Sequence, residues 1–125
     1  MAANVADRVL DNGLTVLDTE ATHIYITSAE ASSYANVASV ALGNKNFGAG
    51  GCFGAPAAGS PNGRKVSSTA ITDGSVTATG TATHWAVTDN ANTRLLAVGP
   101  LSASQAVTNG NTFTLGSFDI RLPNQ

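Results

Sequence analysis

The sequence predicts a mainly β protein: an antiparallel β-sandwich or barrel with one short helix and a long Gly-rich loop. Residues 22–27, THIYIT, alternate strictly, with Ile24 and Ile26 on one face, which is the period of a half-buried strand. After residue 65, turn signals recur about every eight to twelve residues between runs rich in β-branched side chains, as in all-β domains. The 125 residues fit one domain, residues 1–125.

The first predicted feature is a tight turn near the N-terminus. Two short apolar runs, residues 5–10 and 14–18, are separated by Asp-Asn-Gly. Asn-Gly between apolar runs is a turn signal. We therefore expect the chain to reverse between these runs.

The predicted helix follows the THIYIT strand and covers residues 28–43. This stretch is rich in Ala, and Tyr34 and Val37 are spaced as on one helix face. Ser28 is the expected N-cap, and Gly43 the expected end.

The Gly-rich segment, residues 43–65, contains seven glycines and two prolines, so it cannot be regular structure throughout. Two structures are consistent with it. It is either a flexible arm that buries Phe47 and Phe53 against a neighbouring subunit, or an ordered surface loop that covers one end of its own core. The residues that we expect to contact a neighbour are Phe47, Cys52, Phe53, Arg64 and Lys65.

Cys52 is the single cysteine, so it cannot form an internal disulfide. It is a buried thiol, an exposed reactive thiol, or half of a bond between subunits. Its Gly-flanked position motivates the hypothesis of an intermolecular disulfide in particles outside the reducing cell.

The C-terminal half predicts successive antiparallel strands. Residues 83–99 are expected to form a hairpin with DNAN at its tip, and further turns are expected at residues 73–74 (Asp-Gly) and 109–110 (Asn-Gly). Trp85 and Phe118 lie on predicted strands and are expected in the core.

Composition favours association and excludes several function classes. Only 11% of residues are charged, less than half of the ordinary share, so copies repel one another weakly. The net charge of −2 and the scattered basic residues give no stripe for nucleic acid. No segment predicts a membrane helix, and the N-terminus lacks the apolar core of a signal peptide. We expect synthesis in the cytoplasm and no membrane contact.

The two histidines lie in matching contexts, ATHIYIT at residues 21–27 and ATHWAVT at residues 82–88. Duplication is one explanation, and chance in a chain rich in Ala and Thr is the other. His23, His84, Cys52 and Asp89 lack the close spacing of a metal motif, so we expect no metal and no cofactor. Each histidine is instead expected to pack on a strand and bond a carbonyl or threonine hydroxyl.

Catalysis is also disfavoured. No serine or cysteine lies in a nucleophile-elbow pattern, and the acidic residues are scattered. Near residues 59–65, GSPNGRK, the spacing of a phosphate-binding loop fails. We expect no enzymatic activity. The face of the strand on which His84 lies is left open by the pattern.

Residues 80–123, GTATHWAVTDNANTRLLAVGPLSASQAVTNGNTFTLGSFDIRLP, resemble a recurrent segment of small tailed-bacteriophage proteins. ALGNKNFGAG and GSPNGRKV upstream are similar to the same group. The resemblance implies a virion structural protein, of the head-decoration or neck-collar type. It implies a homo-oligomer that contacts the major capsid protein or a neck or tail protein, located in the virion. It transfers no functional residues.

Two other functions remain open at this point. A tail-tip or fibre module that binds a host surface glycan would also be rich in strands. A small cytoplasmic enzyme would depend on His84 or Cys52.

Overall fold

The computed structural model describes residues 7–59 and 63–122, with the side chains of residues 7–11 outside the description. It is mainly β, as predicted, with two helices. The elements in chain order are α1 Asp7–Glu20, β1 His23–Thr27, α2 Tyr34–Val40, β2 Ala41–Asn46, β3 Ala57–Ala58, β4 Arg64–Ser67, β5 Ile71–Val76, β6 Gly80–Asp89, β7 Arg94–Val107, β8 Thr112–Leu115 and β9 Asp119–Leu122.

Six strands form a curled antiparallel sheet in the order β7-β6-β1-β2-β5-β8. A second sheet has the order β3-β4-β9. The main core lies between these sheets and α1, and it includes Leu14, Ile24, Val66 and Val87. A smaller cluster lies on the other face of β1 and β6, where Val37 of α2 packs against Ala86.

The prediction of a tight turn between residues 5–10 and 14–18 is wrong, because Asp7–Glu20 is one helix. Leu14 and Leu17, one helical turn apart, are both buried in the core. Gly13 lies within this helix, where an added Cβ would meet Leu122 of β9 at 3.4 Å. That is an ordinary van der Waals distance, so packing of α1 on β9 does not require glycine here. Burial of the apolar face of the helix outweighs the cost of about 1 kcal/mol that a glycine has in a helix.

The predicted helix at residues 28–43 is present but much shorter. It starts after Ser33, whose side chain accepts a hydrogen bond from the Asn36 amide at 3.1 Å, so Ser33 and not Ser28 is the N-cap. It ends at Val40, because Ala41 begins β2 and pairs with Thr27. Gly43 is inside β2 and does not end the helix. A Cβ there would lie 2.5 Å from the Ser75 carbonyl oxygen.

The Gly-rich segment is ordered against its own chain over the part that the structure describes. Phe53 forms a bridge with Ser68, and the Cys52 carbonyl accepts from the Thr69 amide at 2.8 Å. This arrangement corresponds to the second of the two expected structures, a loop over one end of its own core. β2, β3 and β4 also occupy parts of the range 43–65.

The hairpin expected at residues 83–99 is confirmed as part of β6 and β7. The turn at residues 109–110 is confirmed too, with Gly110 at a φ of 91°. The turn at residues 73–74 is wrong, since both residues lie inside β5. A Cβ on Gly74 would stand 2.3 Å from the Phe113 ring, so this glycine makes room for an aromatic side chain.

Candidate functional site

The two histidine segments pair with each other, in antiparallel fashion, at the centre of the large sheet. His23 is opposite Thr88, Tyr25 is opposite Ala86 and Thr27 is opposite His84. A local twofold axis therefore relates each residue of one segment to the residue at the same position of the other segment. The axis passes through the Tyr25–Ala86 pair. The histidines lie four residues apart along this ladder, or ~13 Å at the usual rise of a strand, which is too far for one metal ion.

Each histidine bonds the threonine that precedes it. His23 Nδ1 lies 2.8 Å from Thr22 Oγ1, and His84 Nδ1 lies 2.8 Å from Thr83 Oγ1. These bonds are the structural role expected for both rings. Burial lowers the pKa of His23 below its usual value. The strand alternation places His84 on the face of Ala86, opposite Trp85 and Val87.

No group of three His, Cys, Asp or Glu side chains with the geometry of a metal site occurs within residues 7–59 and 63–122. Asp89 is buried, and its carboxylate accepts from the Asn92 amide nitrogen at 3.3 Å and from Asn92 Nδ2 at 2.8 Å. Its role is to fix the tip of the β6–β7 hairpin. No helix in the described part has the length and apolar character needed to span a membrane.

The structure separates the five residues predicted to contact a neighbour. Phe53 is buried in the core, and Phe47 is partly buried against it. Arg64 and Lys65 are on β4, and Lys65 Nζ lies 3.2 Å from Asp119 Oδ2. A role in an interface stays a prediction for all five, although Cys52 and Phe53 have no exposed surface to offer in this conformation.

Cys52 is a buried free thiol, which is one of the three states considered for it. Burial raises its pKa to about 12, so very little thiolate forms near neutral pH. An intermolecular disulfide would require the segment around Cys52 to leave the core.

Another candidate site is an opening between the two edge strands of the large sheet, which we call the seam. It is bounded by residues 101–105 of β7 and residues 114–116 at the end of β8. The curl of the sheet brings these edges together without pairing them into a ladder. Gln105 Nε2 donates across the opening to the Thr114 carbonyl oxygen at 3.3 Å. A side chain, and not a backbone ladder, therefore connects the two edges at this point.

Two adjoining cavities, of about 300 and 360 Å³, occupy the seam. Both are bounded by Leu101, Ser102, Leu115 and Gly116. The other lining residues have small, hydroxyl-bearing or apolar side chains, except Gln105, whose side chain is an amide. None of the lining residues is charged.

A bulge in β7 shapes one rim of the seam. Ala82 of β6 pairs with Gln105 and His84 pairs with Pro100, so residues 101–104 stand opposite Thr83 alone. A bulge of this kind redirects an edge strand out of its ladder. Residues 101–104 therefore form a rim of the seam that is not paired with β6.

Trp85 and Phe118 lie at one end of the seam. Their rings are stacked, with centroids 4.3 Å apart, and Phe118 makes an edge contact with Phe53 at 6.0 Å. A Cβ on Gly99 would lie 2.4 Å from the Trp85 ring, so the indole also packs against that backbone. Both aromatics contact the core, as predicted. The indole is engaged within the chain and is not a free stacking surface.

Sequence reasoning missed the seam. The local signal was a run without charge, residues 95–107 of the sequence, LLAVGPLSASQAV. Only residues 95–99 of that run were predicted as strand, in the hairpin, whereas β7 continues to Val107. The position of β7 at a sheet edge depends on the order of all six strands.

No family model, no curated protein and no solved structure matches this chain.

Proposed function

We propose that this chain is a structural protein of a tailed-bacteriophage virion, a capsid decoration or cement protein or a head–neck protein, which acts by repeated assembly contacts. The observation that carries the proposal is the uncharged seam between β7 and β8. Proteins that act as monomers commonly protect such sheet edges with charges, most often lysine. An unprotected edge is suited to contact with another chain.

The surface chemistry of the exposed strands supports assembly too. Three ion pairs are described, between residues 45 and 73, 65 and 119, and 20 and 94. All six partners have side chains at least 29% exposed, so these pairs contribute little to stability. Apart from Arg94, the exposed positions of β7 and β8 carry Ser, Thr, Ala and Pro, which desolvate at lower cost than charged groups.

The phage setting depends on the resemblance of residues 80–123 to small tailed-phage proteins. In such a particle, contacts that are weak singly become strong together, because many copies engage at once.

The alternative of a glycan-binding tail-tip module is less well supported. Sugar sites stack a ring on an exposed aromatic face, whereas Trp85 is stacked on Phe118 and packed against Gly99. Glycan arrays test this alternative directly, and strong selective binding would favour it.

The test of the proposal is to purify particles that encode this chain and to locate it by cryo-electron microscopy and quantitative mass spectrometry. The expected result is density for a β-rich subunit at the head surface or neck, in a copy number that matches the local symmetry. A chain that is absent from purified particles and remains in the soluble fraction of infected cells would contradict the proposal.

A further inference from the structure

The two described sheets have four edge strands, and these differ in charge. β9 carries Asp119 and Arg121, and charges discourage pairing with another chain. β3 and β8 are uncharged, and β7 has no charge beyond Arg94 at its first position. Two of these uncharged edges, β7 and β8, face each other across the seam.

The seam has the properties of a groove for an extended polypeptide. Strand edges flank it, so backbone amides and carbonyls line its sides, and Ile26, Leu101 and Leu115 supply apolar contacts. Residues 101–105 of β7 form one rim, and the first four of them are the bulge that leaves the ladder with β6. The Gln105 bond to the Thr114 carbonyl is the one that an entering strand would replace.

The absence of charge in the seam restricts its occupant. A strand with a charged side chain facing this groove would lose hydration with no opposite charge among the lining residues, at a cost of several kcal/mol. A suitable occupant is extended, uncharged and built of small side chains.

The chain itself contains such a segment at residues 54–58, GAPAA. Gly54, Ala55, Ala57 and Ala58 are exposed, Pro56 is half-buried, and none is charged. Pro56 favours extended backbone around it. The five residues follow directly on Cys52 and Phe53, which anchor the segment in the core.

We propose that the seam of one copy binds residues 54–58 of a second copy of this chain. This inference identifies the contact for the assembly argued above and rests on that proposed function for its biological setting. Donor and acceptor are different parts of the chain, so the contact is head-to-tail and generates a ring or an open row of subunits. A five-residue strand buries less than the standard ~800 Å² per partner, so each contact is weak and is effective only in an array.

The test uses four lysine substitutions in two matched pairs. Gly116→Lys places a long charged side chain in the seam, and no atom lies within 4 Å of a Cβ added there, so the fold should accept it. Its control is Thr112→Lys, exposed on the same strand but outside both cavities. Ala55→Lys alters the donor segment, and its control is Ala70→Lys at another exposed alanine. Circular dichroism checks that all four fold as the wild type does.

Sedimentation velocity over a concentration series gives the readout. The wild type and the two controls are expected to form species larger than a dimer as concentration rises. Gly116→Lys and Ala55→Lys are each expected to stay monomeric, with association weakened by at least about tenfold. An equimolar mixture of these two variants has one intact donor and one intact acceptor, and it should form a species of two chains and stop there.

Three results would overturn this inference: a wild type that is monomeric at every concentration, a seam or donor variant that associates like its control, or a mixture that remains monomeric. These outcomes are distinguishable from failure of the proposed function. If the chain is located in particles but is monomeric when pure, only the contact is refuted. If it associates as described but is absent from particles, only the virion assignment is refuted.

Discussion

The centre of the large sheet and its seam differ in how their strands are paired. At the centre, β1 and β6 pair with each other, and Ile24, Thr27, Val87 and Thr88 are fully buried. At the seam, the two edge strands are unpaired, with cavities between them and a single described side-chain hydrogen bond across. The contrast suggests that the matching histidine segments are structural, and that capacity for interaction lies at the edges.

Thiol reactivity should show the largest difference between the two environments. Cys52 is buried with a pKa of about 12, whereas a cysteine introduced at Ser102 would be exposed at the seam. Near neutral pH an ordinary thiol with a pKa of ~8.5 has about three thousandfold more thiolate than Cys52. Alkylation followed by mass spectrometry should modify Ser102→Cys at the new site long before Cys52. Equal rates at the two sites would show that the Cys52 segment opens readily.

Truncation of a side chain should have the next largest difference in effect between the sheet centre and the seam. Ile24→Ala removes a fully buried side chain at the sheet centre and should lower the free energy of unfolding by about 2–5 kcal/mol. Ser104→Ala, at an exposed lining position of the seam, should change it by less than about 0.5 kcal/mol. Urea unfolding followed by tryptophan fluorescence measures both. A cost at Ser104 as large as that at Ile24 would mean that the seam is a folded core element.

Two glycines of the described chain give a smaller contrast. Gly99→Ala would place a Cβ 2.4 Å from the Trp85 ring and should cost about 1–3 kcal/mol through displaced packing. Gly116→Ala meets no atom within 4 Å and should be neutral or stabilising by up to about 1 kcal/mol. Thermal unfolding monitored by circular dichroism compares them. The same loss of stability in both variants would contradict the described positions of these residues.

The smallest effect concerns pH and His23 at the sheet centre. Burial lowers the pKa of His23, so the unfolded chain takes up a proton at a higher pH than the folded chain does. Stability should therefore decline as the pH falls below about 6.5, the ordinary value, towards the lower folded pKa. His23→Gln should flatten this part of the stability profile, measured by urea unfolding at several pH values. An unchanged slope would assign the pH dependence to other groups.

Much of the strand pattern was predictable because apolar alternation reports burial directly. Predictions that depended on glycine as a turn signal were less successful. At residues 109–110 Asn-Gly forms the expected turn with Gly110 at positive φ. Gly13 instead lies within a helix, and Gly74 lies in a strand, where it makes room for the Phe113 ring. A turn glycine and a packing glycine have the same local sequence signal, and only tertiary contacts distinguish them.

The candidate site was harder to predict than the fold. The predicted helix at residues 28–43 ends early, at Val40, because Ala41 pairs with Thr27, a residue distant in sequence. The seam depends on the curl of the whole sheet and on the bulge at residues 101–104, and neither follows from periodicity. The sequence did show that this stretch is uncharged, which is the property that limits its occupant.

Amide hydrogen exchange by mass spectrometry, in dilute and in concentrated wild-type protein, tests the seam contact most directly. β1 and β6 should be protected equally in both samples. Residues 101–105, 114–116 and 54–58 should exchange readily when the chain is monomeric and become protected together when it associates. Association that leaves these segments exchanging at the monomer rate would contradict the account.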